Sequence, residues 1–394
     1  MRNKLINIGI LEVHYHLKFL HTTIKVCKTN ETNLTIFTTR KIYERLKIYI
    51  ENIEKYEFVI KEKNESISKF LKRVEKVCNE KIELLFINTI QTNSLDIVRF
   101  ISFKPNSKII ATSHITNHWL KAKYGFNVKN IPRSLDVTIS LFLLRKILLK
   151  RFNALNVIYP PVKAHIEKNT NYRKPVFTIP FNFYDNKKVK KPEKKDEKIR
   201  FIIPGYIEKF RRDYHLSLDV FEKLFEKYNE KIELYILGQP RGKYGKEIIN
   251  KCKILKEKGY NIKYPTGFIS EEKYNEILIE SDIIFSPLQI TKIADTGIKE
   301  IYGTTEGSAI PFEAIQSSKP LIIGNDFKIM KELESSTVKY KSREDLIEKI
   351  IDLIENKEKL KKIKIEAKKN SKNFMLPVLQ EYFKNKILDK INEL

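Results

Sequence analysis

Hydrophobic and polar positions alternate along the chain in blocks that predict strands and helices in turn. Short apolar runs predict buried strands, and each run is followed by a stretch with apolar residues every three or four positions, which predicts a helix. In the first half the predicted strands are Leu5 to Leu11, Asn33 to Thr39, Tyr56 to Ile60, Ile82 to Asn88 and Ser107 to His114. Glu12 falls in a polar turn after the first strand, and a strand end within Asn156 to Val162 is broken by Pro160 and Pro161. Strands that alternate with helices at this spacing are typical of a doubly wound parallel sheet.

The second half repeats the alternation after a break in composition. Residues 186–198, NKKVKKPEKKDEK, are dominated by lysine and contain Val189 as their one apolar residue. Such a segment is typical of a solvated linker, although a nucleic-acid-binding tail has a similar composition. Its central position and its interspersed acidic residues favour the linker. The strands predicted after it are Ile199 to Gly205, Lys231 to Gly238, Asn261 to Gly267, Asp282 to Leu288 and Pro320 to Ile323.

The two series predict an α/β protein with two Rossmann-like doubly wound domains that face each other across a cleft. A chain of 394 residues is long enough to bury a core in each of them. We place the domain and segment boundaries at 1–185, at 186–198 for the linker, at 199–372 for the second domain and at 373–394 for a terminal helix.

Ligands of such sheets bind beyond the carboxyl ends of the strands. A single histidine at a strand end is structural more often than functional, but several at one edge favour a site. The polar residues that the pattern places at this edge of the first domain are His14, His16, Asn88, Thr89, Ser113 and His114.

One stretch, residues 302–323, combines a polar loop, a short helix and a buried strand. Small and polar residues fill the loop, and Pro311 stands where the first turn of a helix tolerates a missing N–H. The free N–H groups of such a helix start suit a phosphate. Glu313, one turn further, repels a phosphate but accepts two hydrogen bonds from a vicinal diol such as a ribose. An ordinary α/β loop with a solvated glutamate explains the same pattern.

The formal net charge of +26 is typical of proteins that contact polyanions or phosphate-bearing substrates. The basic residues are dispersed, however, and aromatic residues are not interleaved with basic clusters, so we do not expect nucleic acid as a partner. From Arg133 to Phe152 the pattern predicts an amphipathic helix. It is either a core helix whose basic end complements the helix dipole or a helix that lies on an anionic membrane. The basic residues clustered at its end are Arg145, Lys146, Lys150 and Arg151.

Cysteine usage and hydropathy bear on the compartment. Cys27, Cys78 and Cys252 are odd in number and far apart, so neither a zinc site nor a disulfide framework is predicted. No leader-like segment opens the chain, and no run approaches about 18 consecutive apolar residues. We therefore expect a protein of the reducing cytosol that is neither secreted nor membrane-spanning.

The second half carries an ordered set of motifs. The segment 306–323, EGSAIPFEAIQSSKPLII, contains two glutamates, Glu306 and Glu313, separated by a turn of small residues and a proline. Ahead of it, at or after predicted strands, come Gly205, Arg211, Arg212, Gly238 and Gly267. In this order the motifs resemble those of the retaining GT-B glycosyltransferases of family 4. The resemblance covers the whole chain and implies that the terminal helix crosses back to the first domain.

The resemblance also implies roles for individual residues. Glu313 matches the glutamate that holds the ribose hydroxyls, and Arg212, with Arg211 beside it, matches the basic residue that neutralises the diphosphate. The first glutamate of the motif, which contacts the donor sugar, falls at Thr305 with Glu306 beside it, so either residue is a candidate.

In the first domain, His114 matches the histidine that faces the donor sugar. His14 and His16 occupy the first loop, where many members of the family have a glycine pair. The catalytic candidates are thus Arg212, Glu306 and His114. The other substrate-binding candidates are His14, His16, Gly205, Arg211, Gly238, Gly267, Thr305, Gly307, Ser308, Ala309, Ile310 and Glu313.

These matches imply a hexosyl-type glycosyltransferase that moves a sugar from a nucleoside-diphosphate sugar to a glycan or lipid-linked acceptor with retention of anomeric configuration. No D-x-D pair is placed to bind a metal and no dedicated general base is evident, so neither metal nor cofactor is expected. We expect a cytoplasmic enzyme, and its basic surface is a candidate for a peripheral contact with the inner face of the membrane or for a phosphate contact. The alternatives are a non-catalytic polyanion-binding protein, a GT-B partner subunit that binds without transferring, and an epimerase acting on a nucleotide sugar.

Overall fold

The computed structural model describes residues 5–91, 93–120, 144–187, 189, 197–293 and 298–393. By their contacts the residues form two compact units. The first consists of Met1–Asn182, Ile293–Gly307 and Leu376–Leu394, and the second of Phe183–Lys292 and Ser308–Met375. Residues 293–307, which we placed within the second domain, thus group with the first unit. Most of the predicted linker lies outside the described residues.

The first unit is built on a seven-stranded parallel sheet in the order β3-β2-β1-β4-β5-β6-β7. Its central strands are largely buried and mostly apolar, as expected for a parallel sheet that is covered on both faces. The strands are β1 Ile6–Glu12, β2 Thr32–Thr39, β3 Glu57–Lys61, β4 Leu84–Ile87, β5 Lys108–Thr112, β6 Ala154–Val157 and β7 Val176–Thr178. Because β1 pairs with both β2 and β4, the strand order reverses between β1 and β4.

Helices follow the strands of this sheet at the predicted places. They are α1 Leu17–Cys27, α2 Arg40–Leu46, α3 Ile67–Lys81, α4 Ser94–Ser102, α5 Thr116–Leu120, α6 Arg145–Arg151 and α7 Pro160–Asn169. Of the predicted basic helix from Arg133 to Phe152, residues 133–143 lie outside the described residues. Polar side chains cap several helix starts, such as Asn93, which accepts a hydrogen bond from the N–H of Asp96 at 2.9 Å.

The second unit contains a six-stranded parallel sheet in the order β10-β9-β8-β11-β14-β15. Its strands are β8 Ile199–Pro204, β9 Ile232–Leu237, β10 Ile262–Lys263, β11 Ile283–Ser286, β14 Leu321–Gly324 and β15 Thr337–Tyr340. Two short strands lie outside the large sheets: β12 Thr291–Ile293, and β13 Lys299–Ile301, whose residues group with the first unit. The helices are α8 Tyr214–Tyr228, α9 Gly242–Glu257, α10 Glu271–Glu280, α11 Ile310–Ser317, α12 Arg343–Glu355 and α13 Lys357–Ser371. The strand order here reverses between β8 and β11.

Two prolines act differently from our prediction. We expected Pro160 and Pro161 to break a strand, but they open α7 instead. A proline suits the first helical turn because its fixed φ is helical and its missing N–H has no partner there anyway.

The end of the chain packs on the first unit. It forms α14 Leu376–Tyr382, a π-helical segment Phe383–Leu388 and α15 Asp389–Asn392. The Gln380 amide donates to the carbonyl of Lys25 at 3.0 Å, and the Phe383 ring lies 6.1 Å from that of Phe86.

The two parallel sheets with interleaved helices confirm the predicted fold class of two Rossmann-like doubly wound domains. Within the described part of the chain, no helix is both long enough and apolar enough to span a bilayer.

Candidate functional site

In the second unit the loop after β8 is fastened to the residues after β11, where the strand order reverses. The N–H of Asp213 donates to the carbonyl of Pro287 at 2.8 Å, and the N–H of Gln289 donates to the carbonyl of Arg211 at 3.0 Å. These bonds hold Arg212 at the carboxyl edge of the sheet, which is the place where such folds bind ligands.

Arg212 is buried, with 4% of its surface exposed. Among the described residues, no hydrogen-bond acceptor reaches its Nε or Nη1 atoms. Gly205 makes room for the guanidinium, because a Cβ at Gly205 would lie 2.6 Å from Arg212 Nη2, and its φ of +95° also favours glycine. A buried guanidinium without an acceptor is unfavourable in isolation, and its planar fork matches two oxygens of a phosphate. The arrangement suits an anionic ligand.

Arg211 has different surroundings. Its side chain is 41% exposed, and its Nη1 lies 3.5 Å from Glu208 Oε1. The other carboxylate oxygen of Glu208 lies 3.5 Å from Arg241, whose guanidinium stacks on the Tyr206 ring at 3.5 Å from the centroid. Arg211 therefore belongs to an exposed ionic cluster beside the loop.

The three predicted glycines of this unit lie on neighbouring loops. A Cβ at Gly238 would lie 1.9 Å from the carbonyl oxygen of Gly205, so the ends of β8 and β9 can approach only because Gly238 has no side chain. The Gln239 amide donates to the carbonyl of Gly267. The structure thus brings Gly205, Gly238 and the Gly267 loop together.

Helix α11 carries the second glutamate of the motif. Its start is held by Ser308, whose hydroxyl accepts a hydrogen bond from the N–H of Ile310 at 3.3 Å, and Ala309 is the N-cap residue. Glu313 lies in the first turn, and its Oε1 accepts a hydrogen bond from the hydroxyl of Tyr274 at 2.8 Å. Burial and the charge of Glu313 raise the pKa of Tyr274 well above its ordinary value, so the phenol remains a donor. Tyr274 fixes the orientation of the Glu313 carboxylate.

In the first unit, polar residues meet where β1 and β4 end side by side. Glu12 is the last residue of β1 and is fully buried. The Thr89 hydroxyl donates to Glu12 Oε2 at 2.6 Å, and His16 Nδ1 lies 2.7 Å from the same hydroxyl oxygen. We expected Glu12 in a polar turn; the structure places it inside the protein, at the switch point of the sheet.

The rings of His16 and His114 are in contact, with centroids 3.9 Å apart and planes inclined at 32°. Burial, followed by the charges of His114 and His14, lowers the pKa of His16 from 6.5 to about 2. Burial also lowers the pKa of His114 to about 4, although its Nε2 bonds to the carbonyl of Asn88 at 2.9 Å. Both imidazoles are neutral at physiological pH and can accept or donate hydrogen bonds but not carry charge.

His14 makes a third arrangement at the same edge. Its Nε2 lies 3.0 Å from Oδ2 of Asp96, whose side chain is 2% exposed. The same oxygen accepts a hydrogen bond from the N–H of Gln91 at 2.8 Å. A histidine oriented by a buried carboxylate is a common arrangement in proton transfer. This pair could not be predicted from local patterns, because its two residues are 82 positions apart.

The loop before α11 contains the candidates for the first glutamate. Thr305 is 1% exposed, its hydroxyl accepts a hydrogen bond from the N–H of Ile301 at 2.8 Å, and its carbonyl accepts one from Thr116 at 2.9 Å. Glu306 is half-buried and forms an antiparallel bridge with Ile115. A side chain at position 307 would clash with Ile158, because a Cβ there would lie 2.8 Å from Cγ1 of Ile158.

The basic cluster predicted at the end of the helix is wrong for one of its members. Arg145 is 5% exposed, donates a hydrogen bond to the carbonyl of His118, and has a pKa lowered to about 10 by burial. His118 in turn lies 3.0 Å from Oε1 of Glu300, which is also buried. Arg145 is therefore held inside the protein by a backbone carbonyl, while Lys146 and Lys150 are exposed.

Across the described ranges, no three His, Cys, Asp or Glu side chains converge as a set of metal ligands.

The two Rossmann-like sheets, each with polar residues gathered at its switch point, define a protein of the GT-B fold class. No protein-family model and no curated protein matches the sequence. Among solved structures, HepE of Anabaena, in complex with UDP and glucose, is similar over 99% of this chain and 100% of that chain, with a TM-score of 0.65 and 13% identity.

Two further structures show the range of proteins that share the fold. The lipopolysaccharide outer core galactosyltransferase WaaB is similar over 98% of this chain and 100% of that chain, with a TM-score of 0.56 and 11% identity. A UDP-N-acetylglucosamine 2-epimerase is similar over 99% of this chain and 98% of that chain, with a TM-score of 0.53 and 9% identity. At such identities the likeness establishes the fold and not the reaction.

Proposed function

We propose that the protein is a glycosyltransferase that moves a sugar from a nucleoside-diphosphate sugar to a glycan or lipid-linked acceptor. The observation that carries the proposal is Arg212, a buried guanidinium at the switch point of the second unit with two nitrogens that no described residue engages. Cleavage of the bond between a sugar and a nucleoside diphosphate develops negative charge on the leaving phosphate. A cation fixed at that point stabilises the transition state more than the ground state.

The other residues of the second unit fit the rest of a nucleotide. The N-terminus of α11 offers N–H groups and a partial positive charge to a phosphate. Glu313, oriented by Tyr274, accepts hydrogen bonds from the ribose diol. UDP is the first nucleotide to try, since the HepE structure contains it.

The finer features of the reaction follow from the resemblance to family 4 and belong to the proposal. They are retention of anomeric configuration and transfer without a metal ion. Glu306 is the better candidate for the donor-sugar contact, because the hydroxyl of Thr305 is engaged within its own loop. The anomeric configuration of the product, read by NMR coupling constants, and activity in EDTA test these two features separately.

A thermal-shift screen with UDP, GDP, ADP, dTDP and CMP tests nucleotide binding. A ligand at a hundredfold excess over its dissociation constant stabilises the folded state by about 2.7 kcal/mol, which raises the melting temperature measurably. We expect one nucleoside diphosphate to give a shift, and both Arg212→Ala and Glu313→Ala to abolish it. Arg40→Ala, which removes an arginine that is 67% exposed in the first unit, should leave the shift unchanged.

Further outcomes separate the alternatives. If heparin stabilises the protein and no nucleotide does, the polyanion-binding alternative replaces the proposal. A nucleotide shift without release of nucleoside diphosphate from its sugar derivative, in the presence of candidate acceptors, would indicate a non-catalytic GT-B partner. Conversion of the sugar without any acceptor would indicate an epimerase.

A further inference from the structure

The polar cluster at the switch point of the first unit is a linear chain of three side chains. Glu12 is at its inner end and fully buried, Thr89 is in the middle and 3% exposed, and His16, half-buried, is at the outer end. The two links measure 2.6 Å between Thr89 Oγ1 and Glu12 Oε2, and 2.7 Å between His16 Nδ1 and Thr89 Oγ1. Among the residues that the structure describes, none makes a hydrogen bond to Nε2 of His16.

When Glu12 is ionised, the directions of both hydrogen bonds among Glu12, Thr89 and His16 are fixed. A carboxylate only accepts, so the single proton of the Thr89 hydroxyl must point at Glu12. The hydroxyl oxygen can then only accept from His16, so the proton of the neutral imidazole lies on Nδ1. Its Nε2 is left as a bare acceptor.

Protonation of Glu12 reverses the direction of both hydrogen bonds. The carboxyl group then donates to the Thr89 oxygen, and the Thr89 hydroxyl turns to donate to His16 Nδ1. The imidazole, still neutral, must carry its proton on Nε2. One proton has been added, it has come to rest on Glu12, and His16 has exchanged one tautomer for the other.

We propose that Glu12, Thr89 and His16 form a polarity switch in which the charge of Glu12 decides whether His16 Nε2 accepts a hydrogen bond from a ligand hydroxyl or donates one to it.

The surroundings of the three side chains favour proton uptake at Glu12 over proton uptake at His16. Burial raises the pKa of Glu12 above its ordinary value of 4.5, while hydrogen bonds from Thr89 and from the N–H of His14 oppose that rise. The titratable side chains next to these three residues include His14, which pairs with Asp96 of α4, His114, whose ring lies 3.9 Å from that of His16, and Tyr15, whose ring lies 4.3 Å from that of His16. A charge on His16 is disfavoured by its burial and by these two histidines, so it responds by changing tautomer.

The ligand is a neutral hydroxyl-bearing compound, such as the sugar or polyol end of an acceptor. The ring face of His114 beside His16 and the neutral state of both imidazoles suit uncharged hydroxyl groups better than a phosphate. This part of the inference rests on the proposed function, whereas the switch itself can be observed in the free protein.

NMR of the full chain labelled with ¹⁵N-histidine tests the switch, because long-range ¹H–¹⁵N correlations distinguish protonated from bare ring nitrogens. Comparison with a His16→Gln sample assigns the His16 signals. We expect the proton to lie on Nδ1 at high pH and to move to Nε2, without formation of an imidazolium, as the pH falls through the pKa of Glu12, at a pH above 4.5.

Glu12→Gln should lock His16 in the Nε2–H tautomer at every pH. The N–H of His14 lies 2.7 Å from Oε1 of Glu12, so it holds the glutamine oxygen on its own side and turns the NH₂ group toward Thr89. Thr89→Val, of similar volume, should abolish the pH dependence of the tautomer, and Thr89→Ser should retain it. If Glu12→Gln does not fold, the two Thr89 variants decide the question alone.

An unchanged His16 tautomer in Glu12→Gln, or a pH-dependent tautomer that survives in Thr89→Val, would overturn the switch. Neither result involves a nucleotide. The thermal shift with UDP, measured on the same variants, reports on the second unit separately. Loss of the proposed function and loss of the switch are thus distinguishable.

Discussion

Two adjacent arginines, Arg211 and Arg212, have different physical states in the second unit. Arg211 is 41% exposed and lies near a glutamate, and an exposed pair of this kind contributes little to stability. Arg212 is 4% exposed, and its burial costs free energy unless an anion compensates. Its conformation depends on Gly205, which has no side chain to exclude it. Of the pair, Arg212 is the residue that we propose as the contact to the diphosphate.

The hydrogen bond between Tyr274 and Glu313 leads to a prediction about affinity. Tyr274→Phe removes the hydroxyl that fixes the carboxylate, and a hydrogen bond to a charged group contributes about 1.5–3 kcal/mol. We expect the dissociation constant for UDP to rise roughly tenfold, which corresponds to about 1.4 kcal/mol. Isothermal titration calorimetry measures it.

The matched control for that prediction is Tyr264→Phe, which removes a hydroxyl from a tyrosine that packs against the core of the second unit. Its affinity for UDP should equal that of the original protein. Equal affinities in all three proteins would show that Tyr274 does not position Glu313 for a nucleotide.

The contacts that could not be predicted join residues that are distant in sequence. Whether Glu12 is buried depends on Thr89, which is 77 positions away, and no local pattern encodes that contact. The pairing of Tyr274 with Glu313 spans 39 positions. The individual strand-end histidines could be predicted because the carboxyl ends of parallel strands always share one edge. Their hydrogen-bond partners could not.

Among elements, strands and helices were predictable because their signals are local. The runs that form β1, β4, β8 and β11 are predominantly apolar, as expected for strands covered on both faces. The prediction that Pro160 and Pro161 break a strand was wrong, because a proline pair is compatible with the end of a strand and with the start of a helix. The residues packed around the pair decide between the two.

The close approach of the loops after β8 and β9 leads to a prediction about stability. In Gly238→Ala the new methyl group would lie 1.9 Å from the carbonyl oxygen of Gly205, so the backbone must move. Overpacking of this kind costs about 1–3 kcal/mol, and here it acts on backbone atoms that cannot rotate away. We expect a lower midpoint in urea unfolding.

Gly267→Ala serves as the matched control, because a methyl group there would meet no atom within 4 Å. Its stability should lie within about 0.5 kcal/mol of the original protein, as for most surface substitutions. If both alanine variants unfold at the same urea concentration, the loops after β8 and β9 are not as closely packed as described.

For the whole molecule, the net charge of +26 raises the question of a membrane partner. On α6 the exposed residues are Lys146, Ile147 and Lys150, while Arg145 is buried. An exposed apolar side chain between two lysines suits the surface of an anionic bilayer, where each basic residue contributes about 1 kcal/mol.

We therefore predict that the double variant Lys146→Gln, Lys150→Gln binds anionic vesicles at least tenfold more weakly, given about 1 kcal/mol per lysine. Co-sedimentation measures the binding. The control variant Lys361→Gln, Lys362→Gln removes the same charge from exposed positions of α13 and should bind as the original protein does. Equal losses in both variants would indicate general charge attraction, and unchanged binding in the first would remove the membrane contact.

The first unit draws its residues from three parts of the chain, and the last of them is the C-terminal stretch. Phe383, Ile387 and Leu388, all buried, belong to that stretch. During synthesis the ribosome must therefore make residues 183–375 after the N-terminal part and before these side chains emerge. At about 5–20 residues per second this takes roughly 10–40 s. During that time the apolar surface around Phe86 is uncovered on the nascent chain, so we expect chaperones to bind the unfinished first unit.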